Sequence, residues 1–158
     1  MASEPEKSWI LTGSLENFRV NVERGFDVIG FKERRRRQAG EMEPGDEIFF
    51  YVTGVQAFGG SVRVRSNAFE DRSPIWPQGG KRKPEDYPWR VEAEPVLILD
   101  EERFVPAVDL VDELEHCARW PREHWHLAFQ GQLRTIGAAD AELLRARLGS
   151  AAPTATRS

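Results

Sequence analysis

Apolar positions along this chain switch between helical and strand spacing, and the switches mark out its elements. Trp9-Ile10-Leu11 is a short apolar run suited to a buried strand, and Thr12-Gly13-Ser14 ends it. A helix is expected at once. Ser14 can cap it, Glu16 suits the positive end of its dipole, and Leu15, Phe18 and Val22 repeat at helical spacing until Gly25. Glu43-Pro44-Gly45-Asp46 reads as a turn, and residues 47–53 (EIFFYVT) are aromatic or apolar at both parities, as in a strand buried on both faces. Residues 61–65 (SVRVR) alternate strictly, which predicts a half-exposed strand.

The longest strand is expected over residues 88–99. Trp89, Val91 and Ala93 share one parity and Val96 and Ile98 the other, so the phase changes at Pro95 and predicts a bulge or bend. Two helices should follow, one with the apolar stripe Leu110, Val111, Leu114 and Ala118, the other with Ala139, Leu143, Leu144 and Leu148. Short strands with interspersed helices and no regular βαβ alternation indicate an α+β fold, and the bent strand indicates a partly closed barrel. No internal repeat is present, and 158 residues suffice for one domain, placed at residues 7–148. Residues 1–6 and the small, polar segment 149–158 are expected to be disordered.

Hydrophobic residues make up 40% of the chain, and no apolar run approaches the ~20 residues of a membrane-spanning helix. The first residues lack an apolar stretch with a cleavage site, so a cytoplasmic protein is expected. The single cysteine, Cys117, excludes an intrachain disulfide and a zinc ribbon. A net charge of -4 argues against coating nucleic acid by bulk electrostatics. The positive charge is nonetheless clustered, as KERRRR at residues 32–37 and KRK at residues 81–83. Each run reads either as a solvated face or as a set of phosphate contacts.

Signatures of catalysis are missing: there is no GxSxG, no Walker loop and no GxGxxG. His116 and Cys117 are neighbours on a predicted helix, where side chains diverge by ~100°, so they do not pair as nucleophile and base. Cys117 falls beside the apolar stripe and reads as core. His124 and His126 would share one face of a strand, yet the further ligands of a zinc site are lacking, and neither metal nor cofactor is expected. The aromatic pattern says more. Trp76 sits in the loop SPIWPQGG at residues 73–80, directly before KRK. An aromatic ring beside a basic cluster suits base stacking with phosphates held by Lys and Arg, while a ring tucked under its own loop fits the same composition.

Five segments in order, SWILTGSLENF at 8–18, DVIGF at 27–31, MEPGDEIFFYV at 42–52, EDYPWRVEAEPV at 85–96 and HWHLAFQG at 124–131, resemble the EVE family of the PUA-like superfamily, relatives of the YTH domains. The resemblance spans nearly all of residues 8–148. It implies a bent β-barrel flanked by helices, with a pocket for a modified, typically methylated, base flipped from DNA or RNA. By the same resemblance Thr12, Gly13, Ser14 and Asn17 line a polar rim, Trp76 forms an aromatic wall, and Tyr51 and Trp89 add lining. Ile29, Gly30 and Phe31 are expected to line the pocket too, in the element where the family usually carries a second tryptophan before the small residue equivalent to Gly30. Here Ile29 stands in that place, and Glu33 and Arg34 replace the asparagine that follows. An aliphatic wall buries a methyl group but stacks less well on a base.

Lys32, Arg34, Arg35, Arg36 and Arg37, with Lys81, Arg82 and Lys83, would hold phosphates on either side of that pocket. The leading expectation is a non-catalytic reader of a modified base in DNA or RNA, with no membrane partner. Any effector nuclease or RNA-processing protein is expected on a separate chain. Two competing readings are an enzyme that hydrolyses or deaminates a modified nucleoside, for which Glu16 and Asp27 are the nearest bases, and an RNA-binding module indifferent to modification.

Overall fold

The computed structural model describes residues 7–76, 87–130 and 133–152. Strand β1 (Ser8–Gly13) lies parallel to β3 (Glu47–Val52), from Ser8 opposite Glu47 to Gly13 opposite Val52. Parallel neighbours need a crossover, and α1 (Leu15–Arg24), β2 (Val28–Phe31) and α2 (Arg36–Gly40) supply it. Every residue of β3 is buried, as its two-sided pattern predicts, because its alternate side chains enter two cores. Ile48, Phe50 and Val52 join Trp9, Phe18 and Phe26 in one, while Phe49 and Tyr51 join Ile10, Phe58 and Leu144 in the other. The carboxylate of Asp46 pins the two strands. It accepts from Trp9 Nε1 at 3.0 Å and from the backbone N–H groups of Lys7 and Glu43 at 3.1 and 3.2 Å. A buried charge is tolerated there because charge-assisted donors surround it.

The other strands are β4 (Ala57–Val64), β5 (Phe69–Glu70), β6 (Trp89–Ile98), β7 (Val105–Pro106) and β8 (Leu133–Ile136). Among the described residues they form a mixed sheet in the order β2-β6-β4-β3-β1-β8, with β5 on β6 and β7 on β4. Two irregularities help the sheet to curl. The register shifts between Phe50 and Tyr51, and again where Ser61 pairs with Leu97 but Val62 pairs with Pro95. The second is the bulge that the phase change at Pro95 predicts. Strand β4 begins earlier than residue 61 and is buried except for the half-buried Arg63, because cores cover both its faces.

Helix α1 starts and stops as its sequence dictates: Ser14 Oγ accepts from the Asn17 N–H, and Gly25 ends it at φ 75°. Val22 is half exposed, and the face turned inward carries Phe18 and Asn21. The C-terminal part departs furthest from its pattern. Leu110, Val111 and Leu114 are buried, but Ala118 is exposed, and the stripe lies in turns between and after the 3-10 segments Ala107–Asp109 and Glu115–Cys117 rather than on an α-helix. His124-Trp125-His126 lies in a third such segment, Arg122–Phe129, and not on a strand. Helix α3 (Ala138–Ala151) buries Ala141, Leu144 and Leu148 and leaves Ala139 exposed. It runs past residue 148, where the domain was expected to end; residues 1–6 and 153–158 lie outside the described residues.

The cause of the broken helix is Asp140. From α3 its carboxylate accepts from the backbone N–H groups of Glu115 and His116, each at 2.8 Å. Those donors are thereby satisfied without a preceding helical turn. Asp140→Asn keeps one acceptor oxygen and loses the other, so stability should fall by about 1–2 kcal/mol. A shift in the urea midpoint checks this.

Candidate functional site

Where β1 gives way to α1, a cavity of about 350 Å³ opens among β1, β2, β3, α1 and the segment after β5. That volume lies at the lower end of the ~300–1,000 Å³ typical of small-molecule sites. Leu11, Ile29, Phe50 and Val52 supply apolar lining, Thr12, Gly13, Ser14, Asn17, Asn21 and Thr53 polar lining, and Lys32 and Arg34 positive charge. Aromatic lining comes from Phe18, Tyr51, Trp76 and Tyr87.

Trp76 is held from three sides. Its Nε1 donates to Asn21 Oδ1 at 2.9 Å, Tyr87 meets it edge-on with centroids 5.7 Å apart, and the Arg90 guanidinium lies 5.1 Å from its ring. The side chain is 5% exposed. Gly30 makes room for it: a Cβ at that position would lie 2.5 Å from Trp76 Cζ3 and 3.0 Å from Tyr87 Cβ. Tyr87 has φ 49°, an uncommon conformation for a residue with a side chain, and its hydroxyl accepts from Asn17 Nδ2 at 3.2 Å. Asn17 Oδ1 is buried and has no hydrogen-bond partner among the described residues.

Arg90 sets the ends of the segment that carries Trp76. Only 1% exposed, it donates from Nε to the Tyr87 carbonyl at 3.0 Å, from Nη2 to the Ser73 carbonyl at 2.6 Å and from Nη1 to Ser73 Oγ at 3.2 Å. Asp71 lies 3.5 Å away. The Ser73 N–H and hydroxyl hold the Asp71 carboxyl below its usual range, and the Arg90 charge adds to this. On the opposite side, Tyr51 stacks on Phe129 at 4.4 Å and 9°. Burial pushes the Tyr51 hydroxyl up to about 12, so it stays protonated at neutral pH.

The EVE domain family model matches residues 1–145. The chain belongs to the EVE domain family. This EVE domain is 31% identical over 110 residues to a UPF0310 protein of Saccharolobus solfataricus, a match covering 65% of the chain and 72% of that relative. Among solved structures it is similar to a YTH domain of Zygosaccharomyces rouxii in complex with N6-methyladenosine RNA. The TM-score is 0.62 at 17% identity, over 94% of this chain and 91% of that one. A complex of the YTH domain-containing protein mmi1 with RNA gives 0.61 at 9% identity, over 92% and 83%. What is shared at such identities is the α+β fold, a curled mixed sheet with flanking helices.

Of the expected pocket residues, the EVE domain brings Thr12, Gly13, Ser14, Asn17, Ile29, Gly30, Tyr51 and Trp76 to the cavity. Phe31 and Trp89 do not line it. Phe31 is fully buried in the core, and Trp89 is drawn outward, its Nε1 donating to Glu33 Oε1 at 2.9 Å and its ring under Arg36 at 5.0 Å. Asn21 and Tyr87 were missed. Asn21 carries a signal, since it follows Asn17 by four residues and so shares its helix face.

The basic run divides around a short helix instead of forming one face. Lys32 and Arg34 line the cavity, Arg35 lines a separate concavity, Arg36 covers Trp89, and Arg37 is exposed without lining the cavity. Lys81, Arg82 and Lys83 lie outside the described residues. Among the described residues no group of three or more His, Cys, Asp or Glu side chains is placed to hold a metal ion. Glu16 and Asp27 are exposed and do not line the cavity, and Asp27 pairs with Arg24 at 3.0 Å.

Proposed function

We propose that this EVE domain is a non-catalytic reader that takes one modified base, flipped from DNA or RNA, into the cavity beside Trp76. The observation that carries the reading is the Trp76 ring itself, locked by Asn21, Tyr87 and Arg90 against a cavity whose polar lining and Lys32–Arg34 pair suit a base and its phosphate. A base stacked on an aromatic ring gains ~1–3 kcal/mol, and a methyl group buried against Ile29 or Phe50 adds roughly 0.8 kcal/mol. With Ile29 where a second aromatic wall would stand, discrimination comes chiefly from that methyl and is modest. The fold it shares with a YTH domain in complex with N6-methyladenosine RNA supports the same reading. Catalysis would need a general base, and the cavity has no carboxylate or imidazole among its described lining residues.

The test is a fluorescence-anisotropy titration of short single- and double-stranded oligonucleotides carrying 5-methylcytosine, 5-hydroxymethylcytosine, N6-methyladenine or no modification, at two salt concentrations. The expected result is a roughly 4-fold preference for one modified base, from the transfer energy of one buried methyl group, that persists at the higher salt. Equal affinity for all of them, vanishing with salt, would replace the reader by a generic RNA-binding module.

A further inference from the structure

A second concavity, of about 380 Å³, lies between α2, β8 and the turns near residues 116–120. Arg35, Arg119, Arg134, His116 and Gln38 line it, with Trp120 beside them and no carboxylate among the described lining residues. In a chain of net charge -4, three arginines around one concavity are a concentration of charge rather than background. Two of them are underused. Among the described residues Arg119 has no hydrogen bond or ion pair and the buried Arg35 Nε has no hydrogen-bond partner, while Arg35 Nη1 donates to Gln38 Oε1 at 3.2 Å. Arg134 is oriented by the Gln130 carbonyl, which accepts from its Nε at 3.0 Å and from its Nη2 at 2.9 Å, and its guanidinium lies 5.9 Å from the Trp120 ring.

We infer that this concavity binds a phosphate group of the nucleic acid whose base enters the Trp76 cavity, an inference that rests on the reading proposed above. The two cavities are lined by different residues, and neighbours in the chain link them at two points. Arg34 lines the first and Arg35 the second, and Phe129, which stacks on Tyr51 of the first, is followed by Gln130 of the second. The inference requires that a strand with a base in one carries its backbone past the other. Guanidinium forks match phosphate oxygens in pairs, which fits three arginines better to a phosphate ester than to a lone carboxylate. His116 supplies no donor to the phosphate: its Nε2–H is given to the Ala128 carbonyl at 2.7 Å, and burial, then the charges of Arg134 and Arg119, hold its pKa low against the opposing pull of that carbonyl and of Asp140.

The experiment uses the full chain, the double variant Arg119→Gln/Arg134→Gln, and Arg119→Glu as a second variant at an exposed position that has no hydrogen bond or ion pair among the described residues. Binding of the preferred oligonucleotide should weaken about tenfold at low salt and the salt slope should fall by about 1, with the preference between modified and plain base unchanged. Unchanged affinity and slope in both variants would overturn the inference. If the wild-type chain binds no oligonucleotide, the base-reading proposal fails by itself, and titration with inorganic phosphate and a nucleoside 5′-monophosphate, followed at the Trp120 indole N–H by NMR, decides this one. Shifts lost in Arg119→Glu would support the phosphate site, with a free phosphate ester as its ligand. No shift would overturn it.

Discussion

Trp76→Ala is expected to weaken binding of the preferred oligonucleotide at least about fivefold and, because a base no longer held in the cavity cannot bury its methyl group, to erase the difference in affinity between modified and plain oligonucleotides, in a chain that remains folded. Loss of base stacking is worth ~1–3 kcal/mol, or about 5- to 150-fold in affinity. The substitution also leaves Asn21 Oδ1 without its donor inside the protein, so some loss of thermal stability accompanies it. Asn21→Ala separates the two effects. It removes the same hydrogen bond and keeps the ring, so it should lower the melting temperature while the preference for the modified base survives. Anisotropy titrations with circular-dichroism melting read both quantities. A folded Trp76→Ala protein with the wild-type preference would show that the ring is core packing alone.

Local rules made much of the fold legible. Ser14 and Gly25 delimit α1, the unbroken apolar run makes β3 a strand buried on both faces, and Pro95 marks the change of phase at the bulge. These features depend on residues close together in the chain. What failed depends on partners far away. The stripe through Leu110, Val111 and Leu114 has helical spacing, yet Asp140, some 25 residues on, takes the N–H groups that would have continued a helix. The site divides in the same way. The rim at Thr12 to Asn17 and the wall at Trp76 carry recognisable residue types in recognisable order. Trp89 and Tyr87 share a parity, and strand periodicity alone gives no reason to prefer one. The positive φ of Tyr87 turns its ring to Trp76, while Glu33 and Arg36 hold Trp89 outside. Arg90 was invisible as a buried residue, because an arginine in a strand next to tryptophan reads as a solvated position.

Arg90→Met is the second large effect. Methionine fills much of the space but cannot donate, so the Ser73 and Tyr87 carbonyls and Ser73 Oγ lose their shared partner in a site 1% exposed. Leaving such acceptors unpaired costs about 1–3 kcal/mol each where no water reaches them, and some will find water once the segment loosens, so a net loss of roughly 2–4 kcal/mol is expected. For a domain of this size that lowers the melting temperature by roughly 5–15 °C. Arg90→Lys should fall between, because one ammonium cannot span both ends of the segment as the planar fork does. A wild-type melting temperature for Arg90→Met would mean that the segment holds Trp76 without the guanidinium. Binding should suffer as well, although Arg90 is not among the residues that line the cavity. With the fork in place the Trp76 ring is positioned during folding; without it, each binding event has to position the ring. Calorimetry should therefore find the affinity of Arg90→Met reduced through a less favourable binding entropy, whereas Trp76→Ala should lose chiefly the stacking contribution.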